Sequence, residues 1–177
     1  GRTIGVYGAN PVVFPPSTFP ADPHLPWVHW RDLPSAYGPV WLMFSSALSA
    51  AAGESLTAAV LWYRIAGLTL HLAVAGMLYR LLRARRDASV LPTTLFYAWN
   101  PLVLLEVVAN AHNDVLVALF AVLLVGAATE RRWLSAAFFG ACAVMVKPFA
   151  VVLLPGVARH LVRRTRRRSG LKRLAAA

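Results

Sequence analysis

The sequence predicts an all-α protein, a polytopic bundle of transmembrane helices with an extracytoplasmic loop and broken or re-entrant helices. Of its 177 residues, 58% are hydrophobic and 14% are charged. A soluble domain has about 45–50% apolar and about 25% charged residues. Several apolar stretches also approach the ~20 residues that cross a bilayer. These observations favour a multi-pass protein of the plasma (inner) membrane, in contact with membrane lipids.

The net charge of +11 is concentrated in clusters that directly adjoin the apolar stretches. A nucleic-acid-binding surface would instead combine basic residues with aromatic ones on a folded face, so we expect no nucleic-acid partner. Basic residues beside membrane spans mark the cytoplasmic side. We therefore place three segments in the cytoplasm: 80–86, 131–132 and the basic segment 159–177.

Residues 1–36 are predicted to form an ordered extracytoplasmic loop. They are rich in proline, which fixes φ, removes a donor and pushes the preceding residue out of the helical region. Trp27 and Trp30 suit the headgroup level of the bilayer. The chain starts without Met and without a charged-then-apolar signal segment, so we expect a fragment that lacks an earlier helix.

The transmembrane region is predicted over 37–158, with helices at 39–52, 54–79, 89–109, 115–129, 133–146 and 149–158. The first is short for a span, and a full crossing would place the opening loop inside, so we prefer a re-entrant or interfacial helix. A break is expected near Asn100-Pro101, where proline frees backbone groups. The last two helices form a hairpin that meets at Lys147-Pro148, because one continuous crossing would place the final basic segment outside.

Small and polar residues inside these helices are predicted to serve packing. His71 lies in the middle of a span and is expected to be a hydrogen-bonded packing residue. Glycine within a membrane helix allows close approach of a neighbouring backbone, which we expect at Gly67, Gly76 and Gly140.

Glu106 and Asp114 are the only ionised side chains between Val90 and Thr129. A carboxylate at the bilayer centre costs roughly 2.5–3.5 kcal/mol on insertion scales, so such acids usually face a cavity, a partner or a substrate. If the helix continued beyond Glu106, one face would carry Glu106, Asn110, Asn113 and Asp114, with His112 beside them. The alternative is that Asn113 or Asp114 caps the helix that begins near Val115.

Lys147 is the only charged residue between Trp133 and Ala158, and a buried ammonium needs a partner. It is predicted to bind a phosphate, or alternatively to snorkel to the headgroups. Arg64 is a weaker candidate that could instead pair with Glu54. Two acids with amides would suit Mg²⁺ or Mn²⁺, but no ligand count requires a metal, so no metal site and no cofactor is predicted.

Several motifs occur together and in order: Asn10-Pro11, Tyr37-Gly38-Pro39-Val40-Trp41, Asn100-Pro101-Leu102 with Glu106, Asn110-Ala111-His112-Asn113-Asp114 and Lys147-Pro148. This ordered set resembles the bacterial polyprenol-phosphate-mannose-dependent mannosyltransferases, close to glycosyltransferase family 87, which have the GT-C membrane fold. The resemblance covers nearly the whole chain, as the N-terminal half of such an enzyme without its first helix.

The resemblance implies a membrane glycosyltransferase that moves a sugar, mannose, from a polyprenyl-phosphate donor to a glycan or glycolipid acceptor at the outer face. It also implies a carboxylate base in the first outer loop, where this chain offers Asp22 and Asp32, although in the family that acid follows the first helix. We take Asp32 and Asp114 as candidate catalytic residues. The candidates for substrate binding are Glu106, Asn110, His112, Asn113, Lys147 and Arg64.

A membrane transporter, or a lipid-flipping subunit for an envelope precursor, is the alternative function. Broken helices with buried charges also mark substrate sites in carriers. Against this alternative, the polar groups are predicted at one face and not at the bilayer midplane, and no repeat relates the two halves. A purely structural subunit has no need for the isolated charges of Glu106, Asp114 and Lys147.

Overall fold

The structure is a computed structural model that describes residues 1–86, 88–152, 155–156 and 159. Throughout these residues the regular elements are helices, so the all-α prediction is confirmed. The main helices are α1 (Arg2–Gly5), α2 (Pro39–Ala52), α3 (Leu56–Ala84), α4 (Val90–Ala98), α5 (Pro101–Val103), α6 (Asp114–Thr129) and α7 (Trp133–Val146). A π-helix, Leu104–Ala109, continues α5, and 3-10 turns lie at Pro16–Thr18, Leu25–Trp27 and Pro148–Val152.

The opening loop has its own backbone and aromatic contacts, which keep it ordered without a long helix. The Ser17 N–H donates to the Arg31 carbonyl at 2.8 Å, and the Ser35 N–H donates to the Pro11 carbonyl at 2.7 Å. The Tyr7 and Phe19 rings stack with centroids 4.1 Å apart. These contacts tie the two halves of the loop together before the chain enters α2.

α3 is, among the described residues, the one helix long and apolar enough to cross a membrane by itself. It is capped at its beginning by Ser55, whose hydroxyl accepts the Ala58 N–H at 3.2 Å. α4 and α5 with the π-helix pass the same test only if the bent pair counts as one span. α2, α6 and α7 are shorter apolar helices. The membrane character of α3 is thus supported, while the multi-pass bundle and the re-entrant helix stay predictions.

The chain bends by 41° between α4 and α5, at the predicted break. The Asn100 side-chain oxygen accepts the N–H groups of Leu102 and Val103 at 3.0 and 3.3 Å, and so caps the new helix. His71 is buried, and its Nε2 lies 3.1 Å from the Ala98 carbonyl next to the break. As expected for a packing histidine, His71 offers a partner to a backbone group that the bend withdraws from the helix.

α6 and α7 pack along each other as a hairpin, and this pairing brings the beginning of α6 beside the end of α7. A buried apolar cluster lies between them near this end, formed by Leu116, Val117, Ala143, Val146 and Ala150. α3 packs against both α6 and α4, and α2 packs against both α3 and α7. The core therefore holds the ends of several helices together at one place.

The glycine predictions had different outcomes. A β-carbon at Gly67 would collide with the Val107 carbonyl of the π-helix, so the predicted close approach is confirmed there. A β-carbon at Gly76 would meet nothing within 4 Å, so that prediction is wrong. Gly140 is buried in α7. Of the three glycines predicted to allow close approach, Gly67 is thus the one whose missing side chain a described contact requires.

α7 ends at Val146, and the chain turns at Lys147-Pro148 into the last 3-10 turn. Of the second hairpin helix predicted at 149–158, residues 149–152 belong to this 3-10 turn, and residues 153–154 and 157–158 lie outside the described residues. The basic segment 159–177 also lies outside them, apart from Arg159.

Candidate functional site

The helix does not continue from Glu106 to Asp114, so the polar stripe that depended on such a helix does not form. The π-helix ends at Ala109, Ala111 has a φ of 54°, and α6 begins only at Asp114. The left-handed conformation of Ala111 costs roughly 1–2 kcal/mol and interrupts the helix. As a result Asn110 is exposed while Asn113 is buried, so the two amides do not share a face.

This turn nevertheless brings the two acids together, through His112. The His112 Nε2 lies 3.2 Å from a Glu106 carboxylate oxygen, and the His112 Nδ1 lies 3.8 Å from the Asp114 Oδ2. The other Asp114 oxygen, Oδ1, accepts a hydrogen bond of 2.6 Å from the Lys147 ammonium. Glu106, His112, Asp114 and Lys147 thus form a row of polar contacts, which we call the charged row.

Lys147 is the least exposed member of the charged row. Its side chain is 16% exposed, against 51% for Asp114. The Lys147 Nζ also lies 5.8 Å from the centroid of the Tyr37 ring and 5.6 Å from that of the Phe149 ring. The carboxylate and the two ring faces all attract the positive charge of the ammonium. Lys147 therefore has the carboxylate partner that its sheltered position required.

The helix ends favour the same arrangement of charges. Asp114 lies in the first turn of α6, and Lys147 lies directly after the last turn of α7. A helix N-terminus attracts a negative charge and a C-terminus attracts a positive one. The α6–α7 hairpin thus places each charge at the helix end that stabilises it.

Arg64 belongs to the rim of this site. Its Nε donates to the Ala109 carbonyl at 3.1 Å, at the end of the π-helix, and its side chain is exposed. The pairing with Glu54 that the sequence left open is not among the contacts of the described residues. Arg64 and Lys147 therefore contribute two positive charges against the two of Glu106 and Asp114.

Asn113 does not act as the predicted helix cap. It occupies the position before α6, but its side chain makes no capping hydrogen bond. Its Nδ2 is buried and has no hydrogen-bond partner in the described residues. An unsatisfied buried amide costs about 1–3 kcal/mol, so simple capping does not explain this residue.

The two loop acids differ sharply in their surroundings. The Asp32 side chain is 74% exposed, and its described ion pair is with Arg31 at 3.7 Å. Asp22 is buried, pairs with Arg2 at 2.8 Å and accepts the His24 N–H at 2.7 Å. Burial alone would raise the pKa of Asp22, but hydrogen bonds from Arg2, His24 and Tyr7 and the charge of Arg2 lower it. Asp22 is therefore a structural anion and a poor base.

We expect Asp22→Asn to lower the free energy of unfolding by about 3 kcal/mol at neutral pH, because it leaves Arg2 without its buried partner. The folded-state pKa of Asp22 is lowered, so its stabilising effect is present above the unfolded pKa of about 3.9 and is lost as the pH falls through the folded value. Unfolding of the detergent-solubilised chain between pH 7 and pH 3 measures this. Asp32→Asn, on the same loop but exposed, is the control and is expected to change stability by less than about 0.5 kcal/mol. Equal losses in the two variants would contradict the structural role.

Tyr37 and Phe149 are residues that the sequence did not assign to the site, although Tyr37 belongs to one of the ordered motifs. Neither is charged, and both read as ordinary apolar-region aromatics in an aromatic-rich chain. Their position next to Lys147 depends on the turn after α7 and on the packing of α2 against α7. Only Phe149, two residues after Lys147, carried a local signal for this contact.

The residues that the structure describes contain no group of three or more His, Cys, Asp and Glu side chains able to hold a metal ion. What the site offers instead is a sheltered ammonium, a half-exposed carboxylate and an exposed guanidinium on one rim. These groups are suited to a ligand that carries both an anion and hydroxyl groups.

The chain is similar in sequence to several proteins that are named as mannopyranosyltransferases. The chain is 32% identical over 89 residues to an alpha-(1->6)-mannopyranosyltransferase of Mycobacterium tuberculosis, covering 49% of the chain and 15% of the relative. It is 33% identical over 85 residues to alpha-(1->6)-mannopyranosyltransferase B of Corynebacterium glutamicum, covering 48% of the chain and 14% of the relative. The chain is also 27% identical over 131 residues to alpha-(1->6)-mannopyranosyltransferase A of Corynebacterium glutamicum, covering 72% of the chain and 26% of the relative.

The matched regions thus span at most about a quarter of the length of these relatives. No solved structure matches the chain. The model of the MptA/B family, described as the N-terminal domain of alpha-(1->6)-mannopyranosyltransferase, matches residues 7–163. These residues include most of the opening loop, all the main helices except α1 and the entire charged row. The resemblance to mannosyltransferases noted in the sequence is thereby confirmed, and the chain belongs to the family of alpha-(1->6)-mannopyranosyltransferase N-terminal domains.

Proposed function

We propose that this chain contributes the donor-binding part of a membrane mannosyltransferase. The enzyme would move mannose from a polyprenyl-phosphate donor to a glycan or glycolipid acceptor at the outer face of the plasma membrane. Family membership and the names of the relatives support the transferase activity. The length of α3 and the basic residues at its end support a membrane protein with this end in the cytoplasm. The observation that carries the proposal is the sheltered Lys147 ammonium at 2.6 Å from Asp114.

Lys147 is suited to the donor phosphate. An ammonium has three N–H donors, and Asp114 uses one of them, which leaves donors for a phosphate oxygen. Arg64 uses its Nε on the Ala109 carbonyl, and its terminal nitrogens remain on the exposed rim. Both cations would offset the negative charge that grows on the phosphate as it leaves. The acids Glu106 and Asp114 would accept hydrogen bonds from hydroxyl groups.

The reaction we propose is a direct, inverting transfer. A carboxylate accepts the proton of an acceptor hydroxyl, the hydroxyl oxygen attacks the anomeric carbon, and the bond to the phosphate oxygen breaks through an oxocarbenium-like transition state. Asp114 is half-exposed next to the cation and is our first candidate for this base. Glu106 and His112 would hold the turn that presents Asp114, and Asn110 and Asn113 remain candidates for sugar hydroxyls. Asp32 stays a candidate base because its carboxylate is open to solvent.

Replacing Lys147 tests the donor assignment. In the full-length protein, we expect Lys147→Met to raise the donor KM at least about tenfold and to change the acceptor KM much less. Lys147→Arg is expected to be only partly tolerated, because a planar guanidinium does not replace a compact ammonium held against a carboxylate. Steady-state transfer assays with titrated polyprenyl-phosphate mannose measure both variants.

Arg132→Met is the matched control, since it removes an equal charge from an exposed position at the opposite end of the α6–α7 hairpin. We expect its donor KM to stay unchanged. An unchanged donor KM in Lys147→Met would remove Lys147 from the donor site. Full activity of Lys147→Arg would instead support a lysine that only reaches toward the headgroups.

A further inference from the structure

The Tyr37-Gly38-Pro39 segment joins the opening loop to α2 and lies against the end of α7. The Gly38 N–H donates to the Val146 carbonyl at 3.1 Å, one residue before Lys147. A β-carbon at Gly38 would collide with the Met145 carbonyl, so no larger residue permits this approach. Pro39 then starts α2, where a missing N–H carries no penalty. Gly38 thus allows the close approach to the end of α7, and Pro39 begins α2 directly after it.

Two contacts hold Tyr37 in place, one next to its backbone and one at its ring. Its backbone is fixed by the neighbouring Gly38 contact, and its ring meets the Trp41 ring edge-on with centroids 6.4 Å apart. Trp41 in turn packs on the buried cluster that contains Val146. The Tyr37 ring is therefore anchored to the same core that positions the end of α7.

The Tyr37 ring gives the Lys147 ammonium an attractive contact that carries no net charge, whereas Asp114 is an anion. A donor phosphate near Lys147 would compete with the Asp114 carboxylate for the ammonium, because both are anions. An aromatic ring attracts a cation through its quadrupole and carries no net charge, so the phosphate does not compete with it for N–H donors. With Tyr37 at 5.8 Å and Phe149 at 5.6 Å, the ammonium keeps two neutral contacts whichever anion it holds.

We propose that Tyr37 is a positioning residue that keeps the Lys147 ammonium at the donor phosphate, and that Gly38 is required to place Tyr37 there. This inference rests on the proposed function, because it assigns Lys147 to the donor. The Tyr37-Gly38-Pro39 segment has no other role in the transfer reaction proposed above.

Transfer kinetics of the full-length protein test the proposal. Tyr37→Leu removes the ring, and we expect a donor KM about three- to tenfold above that of the wild type, with the acceptor KM little changed. Tyr37→Phe keeps the ring face and is expected to stay within about twofold of the wild type. Phe44→Leu is the matched control, because Phe44 also contacts Trp41 on α2, with centroids 5.8 Å apart, but makes no described contact with Lys147.

A double substitution separates positioning from general packing. If Tyr37 acts through Lys147, Tyr37→Leu should have no further effect on the donor KM once Lys147→Met is present. An additional loss in the double variant, or equal losses in Tyr37→Leu and Phe44→Leu, would overturn the proposal.

A second measurement does not depend on activity. We expect Tyr37→Leu to raise the rate at which an amine-selective reagent modifies Lys147, measured by mass spectrometry, since the ammonium loses part of its cover. An unchanged rate would overturn the positioning role even if transfer fell. If Lys147→Met leaves the donor KM unchanged while Tyr37→Leu raises the labelling rate, the donor role of Lys147 fails and the positioning contact stands.

Discussion

Asp114→Asn is expected to lower kcat for mannosyl transfer by at least about 100-fold in the full-length protein, with normal membrane expression. Asparagine keeps the shape of aspartate and can still accept a hydrogen bond from Lys147, which is 2.6 Å away. It does not neutralise the ammonium, and it does not take a proton from an acceptor hydroxyl. Transfer rates at saturating donor and acceptor measure the loss.

The double variant Asp114→Asn with Lys147→Met distinguishes two roles of the carboxylate. If Asp114 served only as the counter-ion of Lys147, the double variant would be about as active as Lys147→Met alone. If it takes part in the reaction, the double variant is far less active than Lys147→Met alone, which is the result we expect. Glu130→Gln, at an exposed acid on the far end of α6, is the control. Transfer near the wild-type rate in Asp114→Asn would exclude Asp114 from the reaction.

Two alanine substitutions on α3 are expected to act in opposite directions. Gly67→Ala puts a methyl group against the Val107 carbonyl, so α3 and the π-helix must move apart, and we expect a loss of about 1–3 kcal/mol in the free energy of unfolding. Gly76→Ala meets open space and replaces a poor helix former by the best one. There we expect a gain of about 0.5–1 kcal/mol.

Thermal unfolding of the detergent-solubilised protein compares these two variants directly. Gly67 also matters for the site, because its close neighbours include the Cα of Ala111 in the turn between Glu106 and Asp114. Transfer activity should therefore fall in Gly67→Ala and stay near the wild type in Gly76→Ala. If both variants were equally stable, the close approach of α3 to the π-helix would not be a constraint.

Local sequence signals were sufficient for several features of this chain. Apolar stretches and sparse charges predicted an all-helical protein, and the Asn100-Pro101 pair predicted the bend, because a side-chain cap and a proline act on their nearest neighbours. The isolation of Glu106, Asp114 and Lys147 identified them as candidates, because an unpaired charge is costly in an apolar region. The ordered motifs were sufficient for the family.

The geometry of the site depended on contacts between distant residues. Helical periodicity suggested a stripe from Glu106 to Asp114, whereas the left-handed Ala111 ends that helix and places His112 between the acids. Nothing local in the sequence distinguished Asp22 from Asp32, yet one is buried on Arg2 and the other is exposed.

The sequence by itself determined the helical class, the bend, the family and which charged residues needed a partner, since each follows from composition or from interactions between near neighbours. Only the tertiary structure decided which partner each residue has. Lys147 meets Asp114, 33 positions earlier, because α6 and α7 pack as a hairpin, and it meets Tyr37 because Gly38 lets α2 approach the end of α7. Such pairings depend on how helices pack, and packing is a property of the whole core and not of any one segment.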